Sequence, residues 1–208
     1  MRLAIFGATG GTGVALTQQA LDAGHSVRVL VRNPSRLPIS SDRMRVVLGN
    51  VLDRESVVKT VLGSDAVLSC LGQRNLVKNL HVLSGGTRLI LDVMKQHGVK
   101  RLVCETSFGV AESYNDAPLF AKLIFRTMLR VPYSDKVVQE AMIRESGLEW
   151  TIVRPTRLTD GPRTGNYTVG ERLRCKAGAN ISRADVAKFM LHEAGAREWI
   201  CKVPTITS

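Results

Sequence analysis

Ser107, Tyr133, Lys136 and Arg157 are the side chains of this sequence best placed to act on a small molecule. A serine hydroxyl both donates and accepts hydrogen bonds, so Ser107 can orient an acceptor group. Tyr133 and Lys136 lie three residues apart and can share one helix face. Arg157 carries a planar, permanent cation suited to a phosphate or to developing negative charge. Reduction by hydride is the chemistry such a set would serve: the charge delivered to the acceptor must meet a proton or a counter-charge.

A hydride donor needs its own cradle, and the amino-terminal segment has the pattern of one. The apolar run Leu3–Phe6 is followed by Gly7-Ala8-Thr9-Gly10-Gly11-Thr12-Gly13, then by a helix expected from about Thr12 to Ala23 and ended by Gly24. A helix N-terminus aims free N–H groups and partial positive charge at an anion, and glycines let a pyrophosphate approach the backbone. Gly7, Thr9, Gly10, Gly11, Thr12 and Gly13 are therefore the expected pyrophosphate contacts. The next strand, Val27–Val31, ends at Arg32, where an NAD-binding chain would carry Asp or Glu for the ribose hydroxyls. Arg32, with Arg36 beyond the rigid turn at Pro34, is expected to hold the 2′-phosphate of NADP.

Further strands and helices alternate along the chain. Arg45–Leu48, Asp65–Cys70, Lys100–Thr106 and Leu148–Val153 read as strands three to six, and Trp199–Val203 as a short seventh. Helices are expected after Asp53, over Leu80–His97, from about Ser134 to Ser146, and from the capping box at Ser182 to about Glu193. Pro118–Val131 also has helical spacing, with an apolar side and Lys122, Arg126 and Arg130 on another; core packing with a solvated face is the plainer account, and a wall of the acceptor pocket the alternative. The expectation is an α/β fold. A doubly wound, mainly parallel Rossmann sheet of order 3-2-1-4-5-6, plus the short seventh strand, fills one domain over 1–208 with helices on both faces.

Ligands of such sheets bind outside the carboxyl ends of the strands. Asn50, with Val51 or Leu52 packing alongside, is expected at the adenine, and Cys70, Leu71, Gly72 and Arg74 along the ribose and phosphates. Thr106, Ser107, Pro155 and Thr156 are expected at the nicotinamide, with Arg157 reaching the acceptor. Arg154, flanked by apolar residues, is expected in a buried pair with Glu140 or Glu145.

The bulk properties exclude several classes. No stretch approaches the ~20 apolar residues of a membrane span. The strand pattern starts almost at Met1, so no leader and a cytoplasmic setting are expected. Cys70, Cys104, Cys175 and Cys201 lack metal or redox spacing, the four histidines are scattered, and no metal site is expected. The net charge of +11 is the unusual total. With neither a basic arm nor interleaved aromatics, it points to attraction of anionic small molecules rather than to nucleic acid as a main partner.

These residues together resemble an atypical short-chain dehydrogenase/reductase of the NAD(P)H-binding, NmrA-like kind, closest to the flavin reductase/biliverdin-IXβ reductase family. The likeness rests on Ile5–Gly10, Val29–Arg32, Ser35–Pro38, Gly49–Leu52, Asp65–Val67, Arg144–Leu148 and Thr164–Val169. It implies NADPH as hydride donor, and a flavin (FMN, FAD or riboflavin) or linear tetrapyrrole as a substrate rather than a tightly held cofactor. It implies Ser107 as the active-site serine. Arg157 stands where that family has a histidine, a departure that weakens the tetrapyrrole reading more than the flavin one. The superfamily's Tyr-x-x-x-Lys pair has proline at position 132, leaving Tyr133 as the nearest phenol to Lys136. Two alternatives stand beside flavin reduction: a non-catalytic NADP(H) sensor, and a carbonyl or quinone reductase using Tyr133 and Lys136. A monomer or weak homodimer is expected.

Overall fold

The computed structural model describes residues 1–72, 81–114, 130–176 and 178–208, with the backbone alone for 130–133. Its first strand, β1 (Arg2–Phe6), buries Leu3 and Ile5 toward one face and Ala4 and Phe6 toward the other. Apolar residues on both faces are what an interior parallel strand needs. The chain then runs through α1 (Gly11–Asp22), β2 (Ser26–Val31), a 3-10 turn at Pro34–Arg36, β3 (Met44–Leu48), α2 (Arg54–Val61) and β4 (Ala66–Ser69). It continues with α3 (Val82–Gln96), β5 (Arg101–Glu105), a 3-10 turn at Ala111–Tyr114, α4 (Arg130–Arg144) and β6 (Glu149–Pro155). Three short strands follow, β7 (Arg157–Thr159), β8 (Thr168–Gly170) and β9 (Asn180–Ser182), then α5 (Arg183–Ala196) and β10 (Thr205–Thr207).

The main sheet has the order β3-β2-β1-β4-β5-β6-β10-β8, parallel except for antiparallel β8 at its edge. The expected order of the first six strands is therefore observed. One face carries α1 and α5, sealed by Leu16, Ala20, Val186 and Met190 against Leu3, Ile5 and Val103. The other carries α2, α3 and α4, sealed by Val57, Val61, Ile90, Met94 and Ile143 against Phe6, Leu102 and Ile152.

Asp53 caps α2 as expected, its carboxylate accepting the Ser56 N–H at 3.0 Å. Ser182 caps α5 by accepting the Asp185 N–H at 3.0 Å. The reciprocal half of the capping box is replaced: the Asp185 carboxylate accepts the N–H groups of Thr164 and Gly165 and so anchors a distant loop. The expected helix from Ser134 begins at or before Arg130, and positions 118–129 of the Pro118–Val131 expectation lie outside the described residues.

The expected seventh strand at Trp199–Val203 is displaced to Thr205–Thr207. The buried Glu193 carboxylate accepts the Trp199 and Glu198 N–H groups, which curls 198–201 into a turn, and Cys201 has a positive φ of 55°. Pairing with β6 starts only at Lys202, opposite Thr151. The antiparallel β8 and the separate β7–β9 pair were not expected from the sequence, because three-residue strands leave almost no periodic signal.

Candidate functional site

The carboxyl ends of β1, β2, β4, β5 and β6 converge on one side of the sheet, and the glycine turn is the tightest part of it. Gly7 has a φ of 82°, and a Cβ there would lie 2.3 Å from the Cys70 carbonyl oxygen. A Cβ on Gly13 would lie 2.1 Å from the Gly7 carbonyl oxygen. Both glycines are thus required by backbone contact. Gly10 caps α1 with no side-chain hydrogen bond, and the first turn carries no acidic residue. The Gly10 N–H donates to the Gly7 carbonyl at 2.9 Å, so the N–H groups of the first helical turn, from Gly11 onward, are the ones left for a pyrophosphate. Thr9 is partly accessible beside them.

Thr12 differs from expectation. It is buried, and its hydroxyl donates to Glu105 Oε1 at 3.0 Å, leaving its backbone as the part that can reach a ligand. Arg32 and Arg36 are both exposed just beyond β2, and Arg32 forms no ion pair among the described residues. Asn50 accepts the Leu52 N–H at 3.2 Å, which shapes the loop. Val51 is a core residue: a Cβ on Gly86 of α3 would come within 2.8 Å of it, so only Leu52, half exposed, is free to cover an adenine face. Cys70 is buried against Met190, and burial pushes its thiol well above the usual range, so it contributes packing and backbone. Leu71 is partly exposed and Gly72 exposed; Arg74 lies outside the described residues.

At the end of β5, Thr106 and Ser107 have different surroundings. Thr106 is buried, its hydroxyl donating to Glu140 Oε1 at 2.7 Å and its carbonyl accepting from Lys136 Nζ at 2.7 Å. Ser107 is half-buried, with its Oγ 3.3 Å from the Phe108 carbonyl oxygen. Pro155 accepts the Phe108 N–H, Thr156 is bonded to Thr207, and Arg157 is exposed just beyond. Ser107, Pro155, Thr156 and Arg157 thus belong to two adjacent strand ends. Tyr133 lies in α4 one turn from Lys136, but its side chain is outside what is described. Arg154 pairs in the interior with Glu140, its Nε 3.0 Å from Oε1; of the two expected partners Glu145 takes no part, and Glu112 joins instead at 3.1 Å.

Glu105 was missed by sequence reasoning, although an acid ending the apolar run Leu102-Val103-Cys104 was a visible signal. Burial raises its pKa above the usual carboxylate range, opposed by Lys136 and then by the Thr12 and Cys70 hydrogen bonds. Burial in turn lowers the Lys136 ammonium, against the pull of Glu105. Arg183 and Asp160 were also missed, because ion pairing across 23 residues has no local pattern. Among the described residues no cluster of metal-ligating side chains occurs, and no helix is long and apolar enough to cross a membrane.

The NAD(P)H-binding family model matches residues 7–195. The chain belongs to this family. The reductase pytE of Aspergillus terreus is 27% identical over 99% of this chain and 97% of its own length. Among solved structures, the anaerobillin reductase ChuY of Escherichia coli O157:H7 superposes with a TM-score of 0.83 at 23% identity, covering 99% of this chain and 96% of that one. A candidate NADH-flavin reductase of Streptococcus pneumoniae gives 0.80 at 22% identity, covering 100% and 99%. These two likenesses establish the shared Rossmann fold. The glycine turn, with required Gly7 and Gly13 and the first-turn N–H groups beyond them, fits the dinucleotide that this family binds.

Proposed function

We propose that this family member is an NADPH-dependent reductase that transfers hydride to a flavin or a similarly conjugated acceptor. The bound dinucleotide supplies the hydride; the chain supplies binding, orientation and charge. The open helix N-terminus at Gly10–Gly11 takes the pyrophosphate, and exposed Arg32, with Arg36, takes the 2′-phosphate. Thr106, Ser107, Pro155 and Thr156 line the nicotinamide end.

The observation that carries the acceptor reading is the contrast between Lys136 and Arg157. Lys136 is half-buried and braced 2.7 Å from the Thr106 carbonyl, whereas Arg157 is exposed beside Ser107's strand end. A carbonyl acceptor builds an alkoxide and needs a proton donor whose partner lysine is available. A conjugated ring spreads the charge over itself, so what it needs is positioning and a nearby cation. Ser107 then orients the acceptor and Arg157 attracts its phosphate or its developing charge. The pytE and ChuY reductases and the flavin-reductase candidate make the same chemical class reasonable for this chain.

The test is NADPH and NADH oxidation measured side by side with FMN, FAD, riboflavin and a linear tetrapyrrole. Turnover with a flavin, preferring NADPH, is expected. Tight NADP binding without any turnover would instead favour the sensor, and turnover of carbonyls or quinones abolished by Tyr133→Phe would favour the carbonyl reductase.

A further inference from the structure

Gly11 is outside the Gly7–Gly10–Gly13 spacing that the dinucleotide turn needs, and its surroundings say why it is glycine. A Cβ at position 11 would lie 2.5 Å from Arg183 Cδ and 2.8 Å from its Nε. The arginine that opens α5 therefore lies directly across the first residue of α1. A cation is poorly placed at a helix N-terminus, where the dipole and the free N–H groups are both positive. Its carboxylate partner is Asp160, whose Oδ1 is 2.5 Å from Nη1, yet the Asp160 side chain is 88% exposed while that of Arg183 is 29% exposed. An exposed ion pair of this kind is weak and readily exchanged. Arg183 is also near enough to Glu105 to help hold its carboxyl down, placing the guanidinium on the cofactor side of the sheet.

We propose that Arg183 clamps the pyrophosphate of NADP(H) from α5, with Asp160 holding it in place until the dinucleotide takes it over. This rests on the dinucleotide occupying the glycine turn, as in the proposed function. An anion at Gly10–Gly11 would meet two sources of positive charge at once, the helix N-terminus and a guanidinium fork. It would also resolve the unfavourable position of Arg183. Asp160 belongs to the loop that leads away from Arg157, and that loop has a second, internal anchor. The carboxylate of buried Asp185 accepts from Thr164 N at 3.0 Å and Gly165 N at 2.7 Å. Exchange of Arg183 from Asp160 to the pyrophosphate thus releases only the outer end of the acceptor-side loop and leaves its root attached.

The experiment is calorimetric titration of the full chain with NADP+ and, separately, with adenosine 2′-phosphate, which carries the 2′-phosphate but no pyrophosphate. Loss of a charge-assisted contact should weaken NADP+ binding about tenfold or more in Arg183→Gln, and leave adenosine 2′-phosphate unchanged. Asp160→Asn should tighten NADP+ a few-fold, and lose that gain when combined with Arg183→Gln. Gly11→Ala displaces the arginine without removing its charge; it should weaken NADP+ in the wild-type background and add little to Arg183→Gln, because the two act as a unit. Arg183→Gln binding NADP+ like wild type, or weakening both ligands equally, overturns the clamp. Wild type that binds neither NADP+ nor adenosine 2′-phosphate removes the cofactor reading itself, a result distinct from either.

Discussion

At the scale of single residues, the proposed function assigns the choice between the two dinucleotides to Arg32. It ends β2, is exposed, and forms no ion pair among the described residues, so it is available to a phosphate dianion. Replacing it by Glu would put a carboxylate where NAD-binding chains carry one. Arg32→Glu should therefore weaken NADPH by about ten- to a hundredfold while NADH holds or tightens, read from fluorescence titration of both reduced cofactors. Equal loss for both would place the 2′-phosphate elsewhere. Arg36 has the same exposure without a strand to fix it, and a smaller effect is expected there. The legibility of such residues in sequence follows their physics. The places of Arg32 and the glycines in the fold could be read because a strand end and a turn impose local spacing, and the Arg154–Glu140 pair because a charge among apolar residues must find a partner. Asp160 and Arg183 meet only through chain folding, and local spacing says nothing of them; Glu105 left one local sign, an acid ending an apolar run.

At the scale of elements, the acceptor end is held by a chain of charge that joins two strands, a helix and a turn. Thr106 at the end of β5 bonds Glu140 of α4, Glu140 pairs with Arg154 of β6, and Arg154 reaches Glu112 in the 3-10 turn, where Arg144 joins at 2.6 Å. Burial alone would raise the Glu112 carboxyl, but the Arg154 and Arg144 hydrogen bonds outweigh it and hold the group down to about 2. A carboxyl at about 2 when folded and 4.5 when unfolded stabilises the fold above pH 4.5, and that contribution disappears as pH falls toward 2. Glu112→Gln should therefore be less stable than wild type near neutral pH, with the gap closing under acid, as read from urea midpoints across that range. A gap independent of pH would show that Glu112 is not titrating against these arginines. The strands and helices of this frame were readable as apolar runs and helical spacing. Trp199–Val203 misled because its apolar content serves a turn tied to the Glu193 carboxylate rather than a ladder.

At the scale of the whole molecule, the charge of +11 finds partial internal use: Arg28 and Arg43 donate to carbonyls at the ends of α2 and α1, and Arg101 is buried against Glu193 at 2.7 Å. The remainder gives the surface a positive field that should hasten capture of an anionic dinucleotide. Stopped-flow association of NADPH should therefore slow as salt rises from about 0.01 M to 0.15 M, where the screening length falls from about 30 to 8 Å, and NADH, with less charge, should slow less. Rates insensitive to salt would leave the charge without a role in capture. The sheet order has a different consequence, in the sequence of events during synthesis. β1, β2 and β3 pair without crossing the sheet, and β4 completes the neighbours of β1 once residue 69 has emerged, so the dinucleotide half can assemble early. β8, by contrast, has β10 as its neighbour in the sheet, so the segment around Thr168–Gly170 must wait until Thr205–Thr207 is made. The strands that carry the glycine turn can thus pair well before the sheet's far edge, whereas the face of β1 that α5 covers, and Arg183 with it, must wait for residues 183–196.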